Sequence, residues 1–344
     1  MDFSHTPEEK PVLEPPRTPG AQGRDYARAS MREEFLALFR PTDRSSPVPP
    51  GAEEAGSETR LPDTEPSMYL RRFLQLGAPS PELAPSGLAD LDDRLAGGFG
   101  YGLHLVCGLP GVGITAFLES VAWEAISSKR PVLYYALRDG QLAVWERLIS
   151  TIGYILGGAT IPVDALRTHA LSPPDLETLT RLDGALQSSV LPFLSLVGTI
   201  PAHTDTLSAL IEDVRLRARE LNERHGSIPL LLIDDLERLL PTTRVQSPPL
   251  LLSRLDSVLA ADLMPGLLAV RAPGSSLGDL EKLPVQAVVA LVPASTSPVD
   301  ALERVDLQLL TNARTGWTGT LPLLLDRRSG FFAHPETGTE CTSG

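Results

Sequence analysis

Short apolar segments alternate with longer amphipathic ones from about residue 103 to residue 333, and this alternation limits the fold more than any other feature. Residues 230–233 are apolar without a break, and a long amphipathic segment precedes them at 204–224. A strand that is apolar on both sides must be covered on both faces of its sheet. The sequence therefore predicts an α/β fold, with a mostly parallel, twisted sheet and helices on both faces.

Strands are predicted wherever four to seven residues are rich in aliphatic or β-branched side chains. These segments are 103–107, 132–137, 191–197, 230–233, 267–270, 288–292, 305–310, 320–325 and 330–333. Helices are predicted over 115–127, 141–156 and 204–224, the last with Thr204 or Asp205 as its N-cap. The final strands are separated by short turns, which predicts an antiparallel C-terminal edge.

The first 66 residues are rich in proline and poor in apolar side chains, which predicts a disordered acidic tail. A short helix with an apolar cluster is predicted near 26–39. Two interpretations are equally open, namely a transient helix and a docking peptide for a protein partner. A second short apolar segment indicates a linker helix within 67–80. The main domain is expected over 81–335, followed by a disordered tail at 336–344.

Charge and composition exclude several classes of protein. The formal net charge is −13 and the chain has three lysines, so bulk electrostatic binding of nucleic acid is not expected. No apolar run has the length of a membrane span, and the N-terminus lacks the pattern of a signal peptide. Two cysteines, Cys107 and Cys341, suit a reduced compartment. We therefore expect a cytoplasmic protein without a membrane partner.

A glycine-rich turn joins the first strand to the first helix of the main domain. The stretch 105–115 reads Leu-Val-Cys-Gly-Leu-Pro-Gly-Val-Gly-Ile-Thr. The strand–turn–helix context and the spacing of Gly108 and Gly113 match the P-loop pattern GxxxxGK[ST], in which backbone N–H groups cradle phosphates. The alternative interpretation is that these glycines form only a tight structural turn and bind no phosphate. The candidate nucleotide-binding residues are Gly108, Pro110, Gly111, Val112, Gly113, Ile114 and Thr115.

One position of this pattern is changed. Ile114 stands where the P-loop lysine places a positive charge between the β- and γ-phosphates, whereas Thr115 retains the hydroxyl that binds Mg²⁺. Isoleucine supplies no charge and tends to pack inward. We therefore predict weak or absent binding of ATP and its Mg²⁺.

A second site element is the apolar strand 230–233 that ends in Asp234 and Asp235. This is the Walker B arrangement, in which a buried strand holds a carboxylate near the metal. Asp234 is the candidate metal residue together with Thr115, and Asp235 is a candidate catalytic residue that would orient a water. The alternative is an aspartate that caps the next turn.

Taken in order, these motifs resemble the RecA-type core. The resemblance is strongest to the C-terminal motor domain of DnaB-type replicative helicases, with KaiC-like proteins as cousins, and it spans about residues 68–333. Residues 86–98 before the P-loop, the strand 132–137 and the run 312–320 (Asn-Ala-Arg-Thr-Gly-Trp-Thr-Gly-Thr) resemble the corresponding family motifs.

The resemblance also shows departures from the family. It implies a catalytic glutamate at or beside Arg138, and a finger with two basic residues of which Asn312 replaces the first and Arg314 remains. The family carries a polar glutamine after its fourth strand. The corresponding residues 268–273 of this chain read Leu-Ala-Val-Arg-Ala-Pro and contain no glutamine. The segments that match the family's DNA-contacting loops, 237–249 and 274–286, contain few bases, so DNA contact is doubtful.

The leading hypothesis is a catalytically degenerate RecA/DnaB-like P-loop protein, a pseudo-ATPase that serves as a scaffold or regulatory subunit. The alternative is an ATP-dependent helicase or recombinase-type ATPase of replication or repair, with a variant Walker A site and a cation from Arg138 or Arg314. A third is a subunit of a mixed ring that supplies Arg314 in trans. Partners are expected to be copies of the chain or a RecA-like relative, since the family forms hexamers.

Overall fold

The computed structural model describes residues 83–157, 160–198, 207–243, 248–271, 283–294 and 302–333 of the chain. The predictions for the tails 1–66 and 336–344, the helix near 26–39 and the linker helix within 67–80 lie outside these residues. So do the proposed N-cap residues Thr204 and Asp205.

Nine strands form one sheet in the order β3-β2-β4-β5-β1-β6-β7-β8-β9. Their bounds are β1 Gly102–Gly108, β2 Val132–Tyr135, β3 Leu194–Val197, β4 Leu230–Ile233, β5 Pro265–Arg271, β6 Ala287–Pro293, β7 Leu302–Asn312, β8 Gly319–Asp326 and β9 Phe331–Ala333. Strands β1 to β6 pair in parallel, whereas β7, β8 and β9 add to the sheet antiparallel. The predicted fold class, including its antiparallel C-terminal edge, is confirmed.

Eight α-helices lie in the described part of the chain. Their bounds are α1 Ala89–Arg94, α2 Ile114–Ser127, α3 Gly140–Gly157, α4 Val163–Thr168, α5 Pro173–Ala185, α6 Leu207–His225, α7 Leu236–Thr243 and α8 Pro248–Ala261. Helices α2, α3 and α6 correspond to the three predicted from the apolar pattern.

The helices cover the two faces of the sheet separately. On one face Phe117 and Val121 of α2 pack with Val106 of β1 in a buried cluster. On the other face Leu105 of β1 packs with residues of α6, α7 and α8, among them Leu210. Burial on both faces explains why β1, β2, β4 and β5 are apolar without alternation. None of the described helices combines the length and apolar character that a membrane crossing requires.

Several segments differ from the sequence prediction, among them the following three. The strand expected at 191–197 begins at Leu194, because a short 3₁₀ turn containing Pro192 precedes it. Helix α5 was not predicted, although Ser172 and Asp175 form a capping box at its start. The candidate DNA-contacting segment 237–249 is largely helical, because α7 fills residues 236–243 and α8 begins at Pro248.

Candidate functional site: a phosphate loop lined by arginines

The glycine-rich turn has the backbone of a phosphate loop. It joins the end of β1 at Gly108 to the start of α2 at Ile114, and Gly111 and Gly113 adopt positive φ angles of 86° and 103°. A Cβ atom on Gly113 would lie 2.8 Å from Leu325 Cδ2 and 3.0 Å from a Phe332 ring carbon. Gly113 is therefore required both for its conformation and for its contact with β8 and β9.

The first turn of α2 is free of side-chain caps. Gly113 is the N-cap residue, its position makes no side-chain cap hydrogen bond, and the first turn contains no acidic residue. The N–H groups at a helix start have no intrahelical acceptor and carry the positive end of the helix dipole. The loop thus keeps the features that attract an anion.

The predicted nucleotide-binding residues lie together in this turn. Pro110 and Gly111 are exposed, whereas Val112 is buried and donates its N–H to the Leu109 carbonyl at 3.2 Å. Ile114 is 3% exposed and belongs to the apolar cluster under the loop. The side chain at the lysine position is therefore largely packed into the protein.

The parallel strands bring three further segments to the same edge. Gly108 pairs in register with Arg271, and the end of β4 at Ile233 pairs with Tyr135 at the end of β2. The residues that follow these strands, Asp234 and Arg138, consequently lie beside the phosphate loop, as expected for the carboxyl edge of such a sheet.

Arg271 occupies the centre of this edge, and its side chain is 7% exposed. Its Nη2 donates to Thr115 Oγ1 at 3.1 Å and to Asp234 Oδ1 at 3.3 Å. Its Nη1 donates to the Asp234 carbonyl at 3.2 Å and lies 3.2 Å from Asp235 Oδ2. One guanidinium thus binds the hydroxyl and both carboxylates that the sequence assigned to metal binding and catalysis.

This arrangement does not fit Mg²⁺. The two predicted metal residues, Thr115 and Asp234, both accept hydrogen bonds from the same Arg271 nitrogen, so a cationic group already lies between them. A metal ion there would meet the guanidinium charge at short range. Among the described residues, no group of three or more His, Cys, Asp or Glu side chains is placed to hold a metal ion.

Asp234 is fully buried, and its second oxygen, Oδ2, has no hydrogen-bond partner among the described residues. Burial raises the pKa of this carboxyl to about 6, against the opposing effect of Arg271. The negative charge of Asp234 is therefore costly at neutral pH, and the buried guanidinium compensates for part of that cost.

Asp235 is held by backbone and arginine contacts. Its Oδ1 accepts the Glu237 N–H at 2.8 Å at the start of α7, as in an aspartate that caps the next turn. Its Oδ2 lies 3.6 Å from Arg138 Nη1, in addition to the contact with Arg271. The proposed water-orienting role of Asp235 stays a prediction.

A cavity of about 230 Å³ opens above the loop. Its charged lining consists of four arginines and one acid, which are Arg138, Arg147, Arg271, Arg327 and Asp139. Ile114, Thr115 and Gly113 form part of its floor. Several arginines from other parts of the chain therefore line the cavity beside the position that lacks the lysine.

Arg147 of α3 connects the cavity to a buried acid. Its Nε donates to Glu119 Oε1 of α2 at 2.7 Å, and its Nη1 donates to Asp139 Oδ2 at 3.1 Å. Burial raises the pKa of Glu119 to about 8, although Arg147 favours the charged carboxylate. The remaining nitrogen, Arg147 Nη2, has no hydrogen-bond partner among the described residues.

Arg327 reaches the loop from the antiparallel edge. Its Nη1 donates to the Gly111 carbonyl at 2.6 Å, and its Nε donates to Glu303 Oε2 at 2.5 Å. Glu303 of β7 also accepts from Nη2 of the same guanidinium. This contact fastens the tip of the loop to the turn between β8 and β9.

The predicted finger residue Arg314 does not join this site. It follows the end of β7, where Asn312 pairs with Ala287 at the start of β6, and β6 runs parallel to β1. Arg314 therefore lies at the edge of the sheet opposite the phosphate loop. It cannot supply the missing charge to the loop of its own chain.

Sequence reasoning missed Asp139, Arg147 and Arg327, and it recorded Arg271 only as a departure from the expected glutamine. Arg271 ends a buried apolar strand, a position that points to the carboxyl edge, so its placement beside Asp234 had a usable signal. Arg147 and Arg327 lie in the middle of α3 and after β8, where no local pattern indicates a phosphate loop.

This fold and this loop define a RecA-like P-loop core, with a mostly parallel mixed sheet and an antiparallel C-terminal edge. Residues 84–252 match the family model described as the DnaB-like helicase C terminal domain. The chain is therefore similar to this family over just under half of its length.

Two solved structures illustrate the similarity. One is described as an ATPase domain and aligns with a TM-score of 0.60 and 19% identity, covering 79% of this chain and 99% of that one. The other is a DnaB-like replicative helicase, described with its interactions with primase. It aligns with a TM-score of 0.58 and 15% identity, covering 91% of this chain and 76% of that one. No curated protein matches the chain.

Proposed function

We propose that this protein is a catalytically degenerate RecA/DnaB-like P-loop protein, a pseudo-ATPase that acts as a scaffold or regulatory subunit. The observation that carries the proposal is the guanidinium of Arg271, which is bonded to Thr115 and Asp234. A Mg²⁺-dependent ATPase uses these two side chains to hold the metal that neutralises the phosphates. With the arginine between these two side chains, the chain lacks the metal site on which that chemistry depends.

Three other replacements support the same conclusion. Ile114 removes the lysine charge, Arg138 stands at or beside the place of the catalytic glutamate, and Asn312 replaces one base of the finger. Each charge-assisted contact that is lost costs roughly 1.5–3 kcal/mol, so Mg²⁺–ATP binds at least one to two decades more weakly than to an intact site.

The scaffold role rests on assembly, which does not require hydrolysis. Arg314 lies away from its own loop and is available only to a neighbouring subunit, either a second copy or a RecA-like relative in a mixed ring. We assign contact with another protein to the N-terminal tail 1–66 and place the protein in the cytoplasm. We do not assign DNA as a partner.

The test is phosphate release from Mg²⁺–ATP by the full chain, with its mass in solution measured in parallel. We expect no turnover above that of the Asp234→Asn variant, and a mass above that of one chain. Turnover that requires Mg²⁺ and disappears in Asp234→Asn would overturn the pseudo-ATPase proposal. A monomer at every concentration would overturn the scaffold ring.

A specific observation favours the second candidate, an ATP-dependent helicase or recombinase-type ATPase of replication or repair. Asp139 is a carboxylate that lines the cavity directly beside Arg138, and the arginines there supply positive charge in place of the lysine. This candidate predicts turnover that Asp139→Asn abolishes. The matched control is Asp164→Asn, whose side chain is 92% exposed on α4 and lies outside the cavity lining.

A further inference from the structure

The side chain of Arg271 has the contacts that a metal ion would have at this site. A single nitrogen, Nη2, lies 3.1 Å from Thr115 Oγ1 and 3.3 Å from Asp234 Oδ1. The side chain is 7% exposed, and its other terminal nitrogen is held by Asp235 and by the Asp234 carbonyl. These four contacts therefore hold the permanently charged guanidinium at the place where a Mg²⁺ ion, which can dissociate, is expected.

The cavity beside this charge suits an anion. Four of its five charged lining residues are arginines, each of which is also ion-paired with an acid, and the uncapped start of α2 adds backbone N–H groups. One of these arginines, Arg138, has capacity for another acceptor. Arg138 is 39% exposed, with ion-pair distances of 3.6 and 3.7 Å to Asp235 and Asp139, whereas Nη2 of Arg147, which has no partner among the described residues, is buried.

We propose that Arg271 replaces the metal ion and that the cavity binds a phosphate chain free of Mg²⁺. This inference rests on the proposed function, since it concerns the same degenerate site. A phosphate chain complexed with Mg²⁺ brings a second cation against the guanidinium, and part of the phosphate charge is already neutralised. The free anion instead offers its oxygens to the guanidinium groups as charge-assisted acceptors.

The size of the cavity limits which ligands it can enclose. A volume of about 230 Å³ is smaller than the roughly 300–1,000 Å³ of pockets that enclose a drug-sized molecule. The cavity therefore accommodates a short phosphate chain, such as a diphosphate, rather than a whole nucleotide. The diphosphate comes either from inorganic pyrophosphate or from a nucleoside diphosphate whose base and sugar stay outside.

The experiment is calorimetric titration of the full chain with pyrophosphate and, separately, with ADP, in EDTA and in excess Mg²⁺. We expect binding in EDTA and at least tenfold weaker binding in Mg²⁺. Equal affinity for the two ligands identifies the diphosphate alone as the recognised group, whereas tighter ADP binding shows that the nucleoside also makes contact. Addition of Mg²⁺ to the preformed complex should release the ligand.

Arg271→Gln tests the assignment to this residue. We expect this variant to lose metal-free binding by at least tenfold and to bind better with Mg²⁺ than without it. The matched control is Arg219→Gln on α6, because Arg219 lines a separate cavity together with Met264, the residue before β5, at the opposite edge of the sheet. The control should bind as the native chain does. Circular dichroism verifies that both variants fold.

Two results would overturn the inference. One is binding by the native chain that requires Mg²⁺, and the other is the absence of metal-free binding at millimolar pyrophosphate and ADP. Both are measured on the native chain, so they hold even if Arg271→Gln fails to fold. Neither requires ATP turnover, so the inference can fail while the pseudo-ATPase proposal stands.

Discussion

At the carboxyl edge of the parallel strands, Arg271 brings a positive charge into a buried site, whereas at the opposite edge Asn312 stands where the family resemblance places a base. Asn312 is 6% exposed, and its side-chain amide stabilises the turn that carries Arg314. Its Nδ2 donates to the Arg94 carbonyl at 2.9 Å, and its Oδ1 accepts the N–H groups of Arg314 and Thr315.

The difference shows two ways in which a site can change while its backbone persists. At the phosphate loop, the new side chain compensates for buried carboxylates by ion pairing. At the finger turn, the new side chain satisfies backbone groups and carries no charge. Both edges keep their geometry because the sheet fixes them, so the changes affect the chemistry more than the fold.

The largest effect on the phosphate-loop edge is expected from Phe332→Ala. Phe332 is 1% exposed, packs edge-to-face on Phe117 with ring centroids 6.1 Å apart, and supports Gly113 from below. Removal of a buried phenyl ring costs about 3–5 kcal/mol of unfolding free energy. Urea denaturation measures this loss. Phe331→Ala, at the half-buried neighbour, should cost less, and equal losses would contradict the assigned role.

At the opposite edge, Asn312→Ala should lower the free energy of unfolding by about 1–3 kcal/mol, because the part-buried N–H groups of Arg314 and Thr315 lose their acceptor and the Arg94 carbonyl loses a donor. The exposed Asn222→Ala on α6 is the control and should change little. The double variant with Phe332→Ala tests whether the two edges are independent. Losses that add within about 0.5 kcal/mol support independence, and a larger deviation refutes it.

Glu119→Gln is expected to change the pH dependence of stability. An acid whose pKa is raised on folding holds its proton more tightly in the folded state, so its contribution to stability falls as pH rises from 4.5, the ordinary value, to about 8, and is constant above that. The slope reaches at most about 1.4 kcal/mol per pH unit for one group. Thermal unfolding from pH 4 to pH 9 should show a shallower decline in the variant, and an unchanged slope would exclude this assignment.

The smallest effect is expected from Arg314→Gln. Its position at the edge opposite the loop predicts a change in unfolding free energy within about 0.5 kcal/mol and unaltered binding of phosphate in its own subunit. The mass of the full chain in solution is the informative measurement. If Arg314→Gln weakened phosphate binding in the isolated chain, the two edges of the sheet would be energetically coupled, which would contradict this prediction.

Much of the fold could be predicted because its signals are local. The apolar segment 230–233 has the same bounds as β4, and the glycine spacing at 108–113 located the turn between β1 and α2. Helix α5 was missed because its apolar residues repeat only weakly at the helical period, and only its capping box marks its start. The predicted strand at 191–197 was too long at its start, because the apolar pattern does not register the turn made by Pro192.

The sequence by itself determined the phosphate loop, the two aspartates after β4 and the loss of the lysine, since each depends on neighbouring residues. Only the tertiary structure decided what compensates for that loss. Arg271 reaches Thr115 across 156 residues, and Arg327 reaches Gly111 across 216. These contacts arise because the parallel register of β1 and β5 and the antiparallel edge bring distant segments together. The end of a buried strand indicates the edge at which Arg271 lies, but no local pattern in the chain indicates that Arg327 reaches the loop.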